Sequence, residues 1–142
     1  MKKALLAIVV VAATSAALAA TEKKTFRDAQ GRNMGSATVD QSGRTTYRDA
    51  MGRNQGSATV QGNRTTYRDA MGRNQGTATV DSSGRTTYRD AQGRIMGSSK
   101  ADSSGKVTYR DAQGRIQGTS TTDSSGRVTY RDAQGRIQGT KK

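Results

Sequence analysis

The sequence predicts an all-β fold of tandem strand-turn-strand repeats, and three observations carry that prediction. The string R-D-A-x-G-R occurs six times, at 27–32, 48–53, 68–73, 89–94, 110–115 and 131–136, a period of 21 residues shortened once to 20. Residues between the glycine-containing turns alternate in polarity with period two, as strands with two unlike faces do. The 142-residue chain is 31% hydrophobic and 4% aromatic, too poor in apolar mass for an ordinary globular core.

Residues 1–19 read as a secretory signal peptide, forming an N-terminal signal helix. Lys2 and Lys3 precede an apolar stretch from Ala4 to Ala13, and small residues end at Ala17-Leu18-Ala19, where cleavage is expected. A membrane anchor would need about 20 apolar residues, and Thr14 and Ser15 interrupt this run. The expected location is therefore the periplasm or the exterior of a bacterium. A short linker, 20–24, leads to a repeat array over 25–142, divided at 25–45, 46–65, 66–86, 87–107, 108–128 and a partial 129–142.

Each repeat holds two halves that open D-x-x-G-[RK], as in Asp90-Ala91-Gln92-Gly93-Arg94 and Asp102-Ser103-Ser104-Gly105-Lys106. Asp first and Gly fourth suit a type I turn, the carboxylate accepting from turn amides and Gly taking positive φ. Two turns per repeat imply two strands per repeat and eleven or twelve strands in all. Val107 and Tyr109 share one face, with Lys106, Thr108 and Arg110 on the other. Asn54, Gly56, Ala58 and Val60 likewise oppose Arg53, Gln55, Ser57 and Thr59.

The pattern fits an antiparallel meander in a single sheet or a β-solenoid, and one length variant favours the meander. Where one repeat has Asp81-Ser82-Ser83-Gly84-Arg85, the preceding one has Gln61-Gly62-Asn63-Arg64. Three- and two-residue hairpin loops exchange there while Gln61 still faces Arg64. Stacked solenoid rungs would also align like-charged arginines at strand spacing. For the D-A-x-G turn, keeping Tyr47 on the face of Gly56 and Ala58 predicts an even-numbered loop that sets Arg48 against Arg53.

The absence of Cys and His removes thiol and imidazole catalysis, disulfides and the commonest metal sites. A repeat also supplies the same side chains at every rung rather than unlike groups converging in a pocket. The prediction is a non-enzyme with no cofactor and no bound metal, its Asp residues capping turns rather than holding calcium. Phe26, Tyr47, Tyr67, Tyr88, Tyr109 and Tyr130 form an aromatic row whose expected role is to cover Gly and Ala on neighbouring strands. Ile95, Ile116 and Ile137, replacing Asn33, Asn54 and Asn74, are expected to make the C-terminal half more apolar and better ordered.

The chain carries 24 Lys+Arg against 11 Asp+Glu, a formal net charge of +13. Such an excess suggests polyanions: nucleic acid, lipopolysaccharide or an anionic glycan. The candidate side chains are Arg48, Arg53, Arg68, Arg73, Arg89, Arg94, Arg110, Arg115, Arg131 and Arg136. Each R-D-A segment also carries its own Asp, so a solvated face is the competing reading.

The D-x-x-G-R-[IV] motif at a 21-residue period, as in Asp111 to Ile116 and Asp132 to Ile137, resembles the tyrosine-aspartate (YD) repeats of Rhs-type proteins. Here Tyr109 stands two positions before Asp111 rather than adjacent to it. That resemblance implies β-strand shells of secreted or cell-surface proteins. The exported strand-turn-strand pattern is also similar to curli-type amyloid subunits, with Arg and Asp replacing their Gln/Asn ladders, and this implies self-assembly. The sequence thus leads to an exported structural or surface component that self-associates through sheet edges or its apolar face, with a polyanion-binding module as the alternative.

Overall fold

The structure, a computed structural model, describes residues 22–142. The signal peptide and signal helix fall outside the described residues. Twelve antiparallel strands run in chain order: β1 Glu22–Asp28, β2 Asn33–Val39, β3 Arg44–Asp49, β4 Asn54–Gln61, β5 Arg64–Asp69, β6 Asn74–Val80, β7 Arg85–Asp90, β8 Ile95–Ala101, β9 Val107–Asp111, β10 Ile116–Thr122, β11 Val128–Asp132 and β12 Ile137–Lys141. Strand β1 thus begins inside the segment read as a linker. Each strand pairs with its sequence neighbour, as the meander requires and a solenoid does not.

The expected single open sheet is instead a closed barrel, because β1 also pairs with β12. Phe26 faces Lys141, and Thr25 and Lys142 exchange backbone bonds of 2.8 and 3.1 Å. Closure removes the free strand edges on which edge-to-edge assembly depended. It follows from geometry: a right-twisted meander of twelve short strands curls until its ends meet.

Both turn types prove to be the same three-residue loop. In D-A-x-G, the Gly52 N–H donates to the Asp49 carbonyl and the Asp49 N–H to the Arg53 carbonyl, and Gly84, Asp81 and Arg85 repeat this arrangement. Gly52 and Gly84 have φ of 82° and 76°. The even-numbered loop is therefore corrected, and so is the Arg48–Arg53 pairing. Tyr47 still pairs with Gly56, but Arg48 pairs with Asn54, and the extra residue Gln55 forms a bulge. An odd loop plus a one-residue bulge gives the same parity as an even loop, which is why the predicted shared face of Tyr47, Gly56 and Ala58 survives, whereas Asn54, expected on that face, pairs with outward Arg48. The shortened loop behaves as expected: Gln61 pairs with Arg64 around Gly62-Asn63, with Gly62 at φ 59°.

The Gly, Ala and aromatic face turns inward. Ala37, Ala58, Ala78 and Val128 are buried beside Phe26, with Thr45 and Thr65 in the same lining. Twelve strands about 4.8 Å apart, tilted by about 40°, would enclose an ideal circle about 24 Å across. On β3 and β4 the outer wall carries Arg44, Thr46, Arg48, Ser57 and Thr59. Ile95, Ile116 and Ile137 do not join the core, being 44–48% exposed opposite Arg89, Arg110 and Arg131. Asn at that position accepts from the bulge glycine instead, as Asn54 Oδ1 does from the Gly56 amide at 3.0 Å.

Candidate functional site: an arginine crown and an aromatic lumen

Turns of a meander alternate between the two ends of a barrel, so all six R-D-A-x-G-R segments gather on one rim. This rim carries twelve arginines against six aspartates. The ten arginines singled out from sequence all belong to it. Arg27 and Arg32 complete the ring; they share the same hexapeptide and were legible from it.

Each turn holds its charges in one geometry. Arg53 Nε donates to Asp49 Oδ2 at 2.7 Å, and the equivalent pairs span 2.6 to 2.8 Å. The preceding arginine reaches over the loop, Arg48 Nη1 donating to the Gly52 carbonyl at 2.9 Å. The same bond recurs from Arg27, Arg68, Arg89, Arg110 and Arg131. Asp49 Oδ1 meanwhile accepts from the Met51 and Arg53 amides. The Arg53 guanidinium and then its amide hold the Asp49 carboxyl below its usual value. Asp thus caps the turn, as expected from its place in the motif. The turn arginines remain 67–77% exposed, so their outer nitrogens face solvent. Met51 and Met71 project beside them, 75% and 78% exposed.

Inside the barrel the aromatic row forms a belt. Tyr47 pairs with Gly56 and Ala37, Tyr67 with Gly76 and Ala58, and Tyr88 with Gly97 and Ala78. Burial pushes the Tyr47 phenol up to about 12. Burial also raises Tyr130, with Tyr109 and Tyr47 adding to the effect, so phenols from separated strands converge in the lumen.

Hydroxyl satisfaction follows the residue eleven positions on. Tyr88 bonds Ser99 at 2.7 Å and Tyr109 bonds Ser120 at 3.0 Å, whereas the corresponding residue for Tyr47 is Ala58. The buried Tyr47 hydroxyl has no partner among the described residues. Ala58→Ser is therefore expected to raise stability by about 1 kcal/mol, and Ser99→Ala to lower it by a similar amount. Denaturant unfolding of both variants checks this; equal and opposite shifts in midpoint are the expected result.

Charge enters the lining at the closing seam. Lys141 occupies the register of Ala37, Ala58, Ala78, Ser99 and Ser120, and is 7% exposed. Glu22 and Lys24 lie on the same face and form an ion pair of 3.1 Å. Sequence reasoning missed this inward charge, although the departure of Lys141 from an otherwise small-residue register was its signal.

No family model and no curated protein matches the chain. The YD-type and curli-type resemblances thus rest on their repeat motifs. Among solved structures, the X-ray structure of a protein from Arabidopsis thaliana aligns with a TM-score of 0.59 at 12% identity, covering 86% of this chain and 80% of that one. That likeness is one of fold alone. BamB from Moraxella catarrhalis aligns with a TM-score of 0.30 at 12% identity, over 77% and 54% of the two chains, too weakly to carry an argument.

Proposed function

We propose that this protein is an exported, non-enzymatic binding barrel that takes polyanions on its arginine crown. The observation that carries the reading is the gathering of twelve arginines and six aspartates on one rim, a net +6 arranged as six equal steps. Within a single repeat the charge is diluted along the chain; on the rim it forms a continuous ring. The ion pairs and loop bonds hold the guanidinium groups in place before a ligand arrives, which lowers the ordering cost of binding. Exposed Met51 and Met71 beside the arginines favour an amphiphilic anion such as lipopolysaccharide over an anionic glycan or bare nucleic acid. Barrel closure leaves the edge-to-edge form of the structural, self-associating role without a free strand edge among the described residues.

Heparin binding across salt concentrations tests the reading on the chain without residues 1–19. Binding is expected to weaken steeply with salt. Replacing Arg53, Arg94 and Arg136 together by Gln should flatten the log–log slope by about two to three. Folding should survive, because exposed ion pairs of this kind contribute little stability. Replacing Lys23 and Lys142 at the opposite rim should change the slope less. An equal loss from that second variant, or no retention by the parent chain, would overturn the crown as the binding surface.

A further inference from the structure

The outer wall departs from its repeat at Lys100, and a cavity lies there. In the even-numbered strands, the third residue after the bulge glycine is Thr in β2, β4, β6 and β10 (Thr38, Thr59, Thr79 and Thr121), but Lys100 in β8 and, just past the end of β12 at the closing seam, Lys142. The register sets this residue opposite an odd-strand basic residue: Arg44 faces Thr59 and Arg64 faces Thr79, whereas Arg85 faces Lys100. Two cations directly opposed across strands are destabilising. Around them opens a cavity of about 340 Å³ lined by Arg85, Ser98, Lys100, Asp102, Thr108 and Arg110.

The local bonds leave positive charge facing this space. Arg85 Nη2 donates to Ser98 Oγ at 3.1 Å, which fixes the guanidinium at the cavity edge. Arg110 gives one Nη to the Gly114 carbonyl and also lines the cavity. Neither Arg85 nor Lys100 has a carboxylate within ion-pair distance among the described residues. Asp81 is near enough for Lys100 to contribute to its lowered pKa, but the Ser83 hydroxyl and the Arg85 amide are the larger causes and engage its Oδ1. Asp102 Oδ1 is likewise engaged by Ser104 and by the Lys106 amide.

We propose that this cavity binds a single sugar residue carrying one anionic group, a carboxylate or a sulfate. The cations supply charge-assisted bonds to the anion. Ser98 and Thr108 match ring hydroxyls, and the volume lies at the small end of ligand sites. No aromatic lines the cavity, which excludes a flat apolar ligand. The site is on the wall across β7, β8 and β9 and shares Arg110 with the crown, but it rests on Arg85 and Lys100, which are not crown residues, and so stands whether or not the crown binds polymers.

The repeat supplies its own test. Titration of the chain without residues 1–19 with glucuronate and with glucose 6-sulfate, followed by amide NMR, should give saturable shifts at residues 85, 98–100 and 108. Glucose should give none. Lys100→Thr restores the residue used at four equivalent positions, so it should fold as the parent does and bind about tenfold more weakly. Thr79→Lys should create a second site, since Arg64, Thr77, Thr87, Asp81 and Arg89 occupy the corresponding positions. Undiminished binding by Lys100→Thr, an equal response to glucose, or shifts confined to the crown turns would each overturn the proposal.

Discussion

Gly56→Ala is expected to lower stability by about 3 kcal/mol, while Gly52→Ala, four residues earlier, lowers it by about 1 kcal/mol. Both glycines have positive φ, 142° and 82°. The difference lies in what surrounds them. A Cβ at Gly52 meets nothing within 4 Å, so the cost is the backbone preference alone. A Cβ at Gly56 would lie 2.2 Å from the Arg68 carbonyl oxygen and 3.3 Å from Asp69 Cα on β5. Backbone cannot swing aside as a long side chain can, so β4 and β5 would have to separate at the point where the bulge sets the register. Urea unfolding checks the pair. Equal midpoints for the two variants would show that the sheet absorbs the contact by a small strand shift.

The same glycine explains how far the sequence could be read. The twelve strands, their antiparallel order, the Asp-capped turns and the two-residue Gly62-Asn63 loop follow from period, alternation and turn chemistry, all properties within one repeat. The Gln55 bulge does not, because an odd loop with a bulge and an even loop leave the same alternation downstream. Its signal was Asn54-Gln55-Gly56, a glycine two residues after an amide side chain that accepts its N–H. Barrel closure was hidden for a different reason. It depends on twist accumulated over all twelve strands, and no single repeat encodes it.

Closure also decides what became visible at the candidate sites. Along the chain, the Arg48 and Arg53 pair and the Arg131 and Arg136 pair lie about 80 residues apart; on the barrel they share one rim. The aromatic row could be read from alternation, but its convergence across the lumen required a closed wall. Lys100 and Lys141 were legible only as departures from the repeat, each a cation where equivalent strands hold Thr or a small residue.

Lys141→Ser should stabilise the protein at pH 7 by about 2 kcal/mol, by returning this register to the small residues it holds elsewhere. Burial, then the neighbouring Lys24 charge, pushes the Lys141 ammonium down to about 8, with Glu22 opposing. In the unfolded chain the ammonium keeps its ordinary value of 10.5. Below pH 8 the group is charged in both states and its full cost falls on the fold. Between 8 and 10.5 the unfolded state binds more protons than the native state, so parent stability rises with pH. The tyrosines act in the opposite sense, because raised folded values make their contribution fall once pH passes the unfolded value of 10. The parent should therefore be most stable between about pH 9 and 10, whereas Lys141→Ser should be flat from 7 to 9 and decline above 10. Both profiles share the tyrosine term, so their difference isolates Lys141. Lys142→Ser, on the outward-facing side, should leave the parent profile unchanged. A constant gap between parent and Lys141→Ser across this range would show that the lysine acts through volume, not charge.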